Sequence, residues 1–453
     1  MSQSNTNNTT KIDSLEIVGA GVSVETFGNY SDDDSVNLWK AVQANNGYII
    51  SSDPDRYPTH FRDALPLAES RQEAAIQTAM HHFMDSYPIP IAIVGTNWQE
   101  EDNVAVADKI RAANANCFIP KTGDEHYTVA GKFPGLNTQR GQVLTSYLND
   151  NPDKLWNILF ATFDEHADIP ALGVGAVDGL VQRAFDGEHQ DDLTFGTLAD
   201  QACHPKTPRV LSDSCTMLAM VSRSRIDRLR QYSDLVQDAM TSSDRSGYKT
   251  RTQSEFNGWK KVPGRAFETT PFIATPWTRF QEDQYDHLQL LGRVYRPQNI
   301  SYLNPSDGKS LNAAERNAQM EIALQAALAP IGGKMPARVF YDYGSIWKDR
   351  AGSARFQALS SAIKTVDPEF DLTDPKRGYD LAIILGDLGA GSPFVAVALA
   401  IEAAQQSGGA TLVVNMRRND GATLLLITPP SAVERQFHSE IERPFWPRFY
   451  GFN

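Results

Sequence analysis

The chain has 453 residues, 41% hydrophobic and 21% charged, enough apolar sequence for two or three domains of about 150 residues and too much for a disordered or collagen-like protein. Its 42 Lys and Arg against 55 Asp and Glu leave a net charge of −13, which argues against a nucleic-acid backbone or an anionic lipid surface as ligand. Three cysteines (Cys117, Cys203, Cys215) are too few, and odd in number, for a disulfide scaffold, and they fit a reducing compartment.

Taken in order, residues 1–11 are rich in Ser, Asn and Thr and read as a disordered arm rather than a signal peptide. No run approaches the 18 apolar residues of a membrane span. Apolar and polar residues alternate over 15–18 and 22–25 around Gly19-Ala20-Gly21, which predicts two short strands with a turn or bulge between them. Ala74, Ala75, Ile76, Met80, Phe83 and Met84 give helical spacing over 69–84, stopped by Pro88 and Pro90. A buried strand is predicted at 91–95, a helix at 102–113, and two further buried strands at 155–160 and 171–177. The second half repeats this order. It has a helix at 313–328, a strand at 337–341, a helix at 354–363, a strand at 381–385 and an Ala- and Val-rich helix at 392–406. Strands at 411–414 and 423–427 close it, joined at Asn419-Asp420-Gly421, where Asp-Gly supplies the positive φ of a hairpin turn. Alternating strands and helices define an α/β chain with mixed sheets in two related domains. The polar stretch 241–261 places a linker at 246–264, between an N-terminal domain at 12–245 and a C-terminal one at 265–453.

For chemistry, the most pointed local signal is Gly386-Asp387-Leu388-Gly389-Ala390-Gly391-Ser392, a glycine-rich turn before a helix whose backbone N–H groups suit an anion. Its spacing is not that of the dinucleotide fingerprint, and no cofactor is expected. The competing reading is a tight turn with close helix packing. Cys215 precedes the apolar run Thr216-Met217-Leu218-Ala219-Met220-Val221, read as a helix; a thiol at a helix N-terminus is a conceivable nucleophile, and a buried core cysteine is the plainer reading. The nine histidines are scattered and Cys203-His204 stands alone, so no metal site is predicted. Asp164, Glu165, His166 and Asp168, after the strand expected at 155–160, form an acid/base candidate by position. Aromatic and arginine clusters offer interaction residues instead of catalysts: Trp277, Tyr285, Arg293, Arg296, Trp446 and Phe449.

The segment Phe272-Ile273-Ala274-Thr275-Pro276-Trp277-Thr278, with Gln284-Tyr285-Asp286 and Leu291-Gly292-Arg293-Val294-Tyr295-Arg296-Pro297, resembles the type VI lipase adapter family of bacteria. That resemblance implies a cytoplasmic, non-enzymatic adapter that captures a lipase-type toxin and hands it to the spike of a type VI secretion machine. It brings no catalytic residue with it. The Gly386–Gly391 turn, the helix after it and the terminal hairpin are also similar to the thiolase-like fold of ketoacyl synthases, which implies a duplicated scaffold. An acyl-transferring enzyme using Cys215 is the alternative that follows. In condensing enzymes the turn begins Gly-His, whereas here Asp387 stands in place of the imidazole.

Overall fold

The computed structural model of the protein describes residues 11–30, 36–45, 47–50, 61–80, 91–95, 143–147, 154–165, 167, 169–179, 181, 212–230, 285, 286, 288–344 and 350–440. Its first half holds β1 (Ser14–Val24), β2 (Phe27–Gly28), α1 (Leu38–Ala44), α2 (Phe61–Met80), β3 (Ile91–Gly95), β4 (Val143–Tyr147), α3 (Lys154–Glu165), β5 (Ala171–Asp178), β6 (Ser214–Val221) and α4 (Arg223–Leu229). The second half holds β7 (Gly292–Tyr295), β8 (Gln298–Ser301), α5 (Ala313–Leu328), β9 (Arg338–Asp342), α6 (Arg350–Val366), β10 (Gly378–Asp380), α7 (Leu381–Leu385), α8 (Ser392–Ser407), β11 (Thr411–Asn415), β12 (Gly421–Thr428) and α9 (Ala432–Glu440).

The described strands form one mixed sheet in the order β10-β9-β11-β12-β7-β1-β6-β5-β3-β4, with β2 beside β1 and β8 beside β12. Each half contributes five main strands in the same arrangement, which from its outer edge inward is third, second, fourth, fifth, first. The outer pairings are parallel and the inner ones antiparallel in both halves. The duplication read from the sequence is therefore a duplication of topology. The halves meet where β1 pairs antiparallel with β7 over Ser14–Ile17.

Two helices lie at the centre. α3 and α8 each connect the third and fourth main strands of their half, and they touch through Trp156 and Phe394, the third residue of each helix, with rings stacked at 5.2 Å. Every residue of α8 from Ser392 to Ile401 is buried, so it carries no polar face. On the outer side of the second half, α5 and α6 cover β9, β11 and β12 with Leu324, Leu328, Leu359 and Ile363. α5 starts where its sequence says it should: the Asn312 side chain accepts from the Glu315 N–H, and Glu315 reaches back to the Asn312 N–H.

Several expected elements change. The strand expected at 155–160 is the helix α3: the run 155–160 is a short, mostly apolar stretch that suits a buried strand by itself, and the stripe of Trp156, Leu159, Phe160 and Phe163 emerges only over the longer segment. The helical run after Cys215 is β6, buried on both faces and so without alternation. The strand expected at 381–385 is the short helix α7, started by the Asp380 carboxylate accepting from the Ile383 N–H. The two strands expected around Gly19-Ala20-Gly21 are one strand with a register shift between Ile17 and Gly19. The α2 helix begins at Phe61 rather than Glu69. The helix expected at 102–113 and the linker at 246–264 lie outside the described residues.

One buried acid in α8 carries a pH dependence. The Oε1 of Glu402 is shut from solvent and has no hydrogen-bond partner among the described residues. Burial pushes its carboxyl up from 4.5 to about 7, with an Asn29 hydrogen bond pulling the other way. Between those pH values the folded protein holds a proton that the unfolded chain releases, so stability falls as pH rises through this window. Glu402→Gln removes that loss. It is expected to unfold at a higher temperature than the parent at pH 8 and at the same temperature at pH 4; equal midpoints at both pH values would refute this.

Candidate functional site

The glycine-rich turn sits at the N-terminus of α8, where the two halves meet. Gly386 has φ 77° and Gly389 φ 54°, left-handed conformations that glycine adopts without strain. A Cβ on Gly391 would lie 2.2 Å from the Ser214 hydroxyl oxygen, so β6 closes directly on the turn. Three of the turn's N–H groups are already used. Gly389 donates to Asp387 Oδ1 at 2.9 Å, Ala390 to Asp178 Oδ2 at 2.7 Å and Gly391 to the Leu388 carbonyl at 3.0 Å. The negative charge at this helix start is thus supplied by Asp178, the last residue of β5, whose Oδ1 also accepts from the Gly179 N–H at 2.7 Å. Ser212 adds two further bonds across the junction, its N–H to the Asp387 carbonyl and its hydroxyl to the Leu385 carbonyl, both at 2.7 Å.

Around the turn lies a buried ion cluster. Arg417 donates through Nη1 to Asp342 Oδ2 at 3.2 Å and through Nη2 to Asp387 Oδ1 at 2.7 Å. Burial pulls its pKa down, but the two carboxylates outweigh this and the guanidinium is raised overall. The Ser392 hydroxyl, fully buried, donates to the Asp342 carboxylate. Asp387 of the turn is therefore one half of an ion pair. Asp342 thus accepts from both Ser392 and Arg417, and Arg417 joins it to Asp387, so these four side chains bind the turn to the ends of β9 and β11.

Cys215 is not at a helix N-terminus but in the second position of β6, packed on Ala75 and Val177. Burial pushes its thiol up to about 12, so it stays protonated and non-nucleophilic at neutral pH. Iodoacetamide at pH 7.5 is expected to leave Cys215 unmodified in the folded protein and to label it after urea denaturation, as read by peptide mass mapping. Rapid labelling in the folded state would overturn this assignment.

The expected interaction residues fall into two groups. Tyr285, Arg293 and Arg296 are described, and all three serve the fold. Tyr285 is buried, and burial raises its phenol pKa. Arg293 donates to Glu16 at 3.0 Å and to Glu434 at 2.6 Å, tying α9 to the centre of the sheet. Arg296 donates to Asp164 at 2.8 Å and to the Ile12 carbonyl at 2.6 Å while lying over the Phe160 ring, so it clamps the start of the chain onto α3. Asp164, an acid/base candidate in the sequence, is the acceptor in that clamp and sits in the last turn of a helix instead of at a strand end. Trp277, Trp446, Phe449, His166, Asp168, Cys203 and His204 lie outside the described residues, and no group of acidic, His and Cys side chains among the described ones is arranged to hold a metal. Asp178, Asp342 and Arg417 were not singled out in the sequence. Their signal was there in part: Asp178 and Asp342 each end a buried apolar strand, the position where α/β sheets place polar function.

The duplicated strand order and the internally matched turn define a mixed α/β scaffold of two related halves. Two family descriptions cover it: "Type VI lipase adapter protein Tla3, N-terminal" matches residues 13–199, and "Type VI lipase adapter protein Tla3, C-terminal" matches residues 291–429. The chain belongs to the type VI lipase adapter family. Among solved structures it is similar to the ishigamide ketosynthase/chain length factor (12% identity, 92% of this chain and 100% of that one, TM-score 0.46). It is also similar to the ketosynthase from module 6 of the bacillaene synthase of Bacillus subtilis 168 (8%, 92% and 72%, 0.47) and to human mitochondrial 3-ketoacyl-CoA thiolase (8%, 92% and 98%, 0.39). Among the described residues no helix is long and apolar enough to cross a membrane.

Proposed function

We propose that the protein is a non-enzymatic cytoplasmic adapter that binds a lipase-type toxin and delivers it to the spike of a type VI secretion machine. The observation that carries this reading is the match of lipase adapter descriptions to both halves of the chain. The chemistry of the junction supports it: Cys215 is a protonated core thiol, and Asp387 is bonded to Arg417. With Tyr285, Arg293 and Arg296 committed to the fold, the aromatic residues Trp277, Trp446 and Phe449 are the partner-facing candidates. A net charge of −13 speeds encounter with a basic partner. A stable grip on a protein takes about 800 Å² from each side, with a few aromatic or arginine anchors supplying most of the energy.

The test is co-purification of the full chain with a lipase-type toxin encoded beside it. The complex is expected to elute together, and Trp277→Ala or Trp446→Ala to weaken it at least tenfold, about 1.4 kcal/mol. No association with such a toxin, or turnover of an acyl substrate by the pure protein, would overturn the reading.

A further inference from the structure

α5 covers the sheet with Met320, Leu324 and Leu328, so Ile322, two residues or about 200° from Leu324, points the opposite way. Ile322 is 61% exposed. Around it the outward face reads alike in both directions. Ala318 and Gln319 stand four and three residues before it, Gln325 and Ala326 three and four residues after it, and all four are exposed. Spacings of three and four put these five residues on one side of the helix. Residues 322–333 hold no charged side chain, in a chain that is 21% charged. Among the described residues the Gln325 amide has one long bond, from Nε2 to Glu321 Oε1 at 3.4 Å.

A face that reads alike in both directions fits a copy of itself. Where a two-fold axis relates two antiparallel helices, a residue some places before the axis sits level with the partner's residue the same number of places after it. With Ile322 on the axis, Ala318 and Gln319 of one copy lie level with Gln325 and Ala326 of the other. A long side chain then meets a short one on each flank, and the two isoleucines meet each other. Charge points the same way. Each copy carries −13, so two copies repel across most of their surfaces, and an uncharged face is where like can approach like. The face is modest in size: the 16 residues of α5 offer about 24 Å by 10 Å, and the exposed Ser353, Gln357 and Ser361 of α6, which packs beside it, add a neutral margin. That is well under the roughly 800 Å² per partner of a stable complex, which makes the pair weak and concentration-dependent.

We propose that the outer face of α5 is the interface of a weak two-fold dimer of this chain, its helices antiparallel across Ile322. It is separate from the adapter reading and stands or falls without it. The test uses the full chain in sedimentation velocity. The average mass is expected to climb from one chain toward two between about 5 and 500 μM, and to climb further in about 0.5 M salt, which screens the repulsion between like-charged copies. Ile322→Glu sets two acids on the axis at an exposed site; it is expected to weaken association at least tenfold and to leave the thermal midpoint unchanged. Cross-linking reads the geometry. Under mild oxidation Ile322→Cys is expected to give a disulfide-linked dimer above the parent's level, because the residue meets its own copy. Ala329→Cys is expected to give none, because its two copies lie about 21 Å apart along the antiparallel pair. A monomer at every concentration, association undiminished in Ile322→Glu, or equal cross-linking at the two positions overturns the proposal. A parent that stays monomeric while Ile322→Glu loses a co-purifying toxin assigns the face to that partner and overturns it equally.

Discussion

Gly21→Ala is expected to destabilise the protein by about 3 kcal/mol or more, because the added methyl has nowhere to go. A Cβ on Gly21 lies 1.7 Å from the carbonyl oxygen of Ala75, and one on Gly19 lies 1.8 Å from that of Ala79. Both obstacles are backbone, which cannot swing aside as a side chain can. The two contacts have a common cause. Two residues along a strand advance about 6.6 Å and four along a helix about 6 Å, so alternate glycines of β1 keep step with successive turns of α2. The expected result is a lower urea midpoint with an unchanged slope. Gly47→Ala is the control: nothing lies within 4 Å of its Cβ, and its effect is expected to stay within about 1 kcal/mol. An unchanged midpoint for Gly21→Ala would mean that α2 does not sit on β1 as described.

Arg417→Leu is expected to cost about 3–5 kcal/mol, the usual consequence of removing one member of a buried ion pair. Asp342 is 2% exposed, and it and Asp387 both lose their cation, while the leucine offers neither a hydrogen bond. The accompanying pH effect has a definite sign. A stranded buried carboxylate takes up a proton more readily than it does in the unfolded chain, so the deficit of the variant shrinks as pH is lowered from 7 toward 4. Asp342→Asn in the same background is expected to recover part of the loss, giving a favourable coupling in a double-mutant cycle. If the two losses simply add, Arg417 and Asp342 do not form a pair in solution.

What the sequence disclosed follows from how each segment meets its surroundings. α5 was legible to the residue because its apolar stripe and Asn312 cap are local, and the antiparallel pairing of β11 and β12 was legible too, but Gly421 has no positive φ: it opens β12 and pairs with Ser301, and five residues, 416–420, make the connection. β6 was misread because it is buried on both faces and shows no alternation, and α3 because its first residues, Leu155–Phe160, form an apolar run too short to reveal the helical stripe of Trp156, Leu159, Phe160 and Phe163. Gly19 and Gly21 were noticed as a turn or bulge. The bulge exists, but the glycines serve mainly to admit the carbonyls of α2, which lies some 50 residues further along and which no local rule could place there. The turn at Gly386–Ser392 was found from its glycines, whereas Asp178, whose carboxylate accepts from it, comes 212 positions earlier in the chain. Arg296 and Arg293 looked like anchors for a partner because arginine beside tyrosine has that composition at interfaces. Only the fold brings Asp164, Glu16 and Glu434 to them.

The place of β1 between β6 and β7 has a consequence for synthesis. On the ribosome β1 emerges first, yet its pairing along Ser14–Ile17 waits until Gly292–Tyr295 has been translated. At about 5–20 residues per second that leaves the strand's hydrogen-bonding rim uncovered for roughly 15 seconds or longer, an invitation to stick to neighbouring nascent chains. Expression of the first half alone makes that interval permanent, so insoluble material is the expected product, and a general holdase supplied in excess is expected to raise the yield of the full chain.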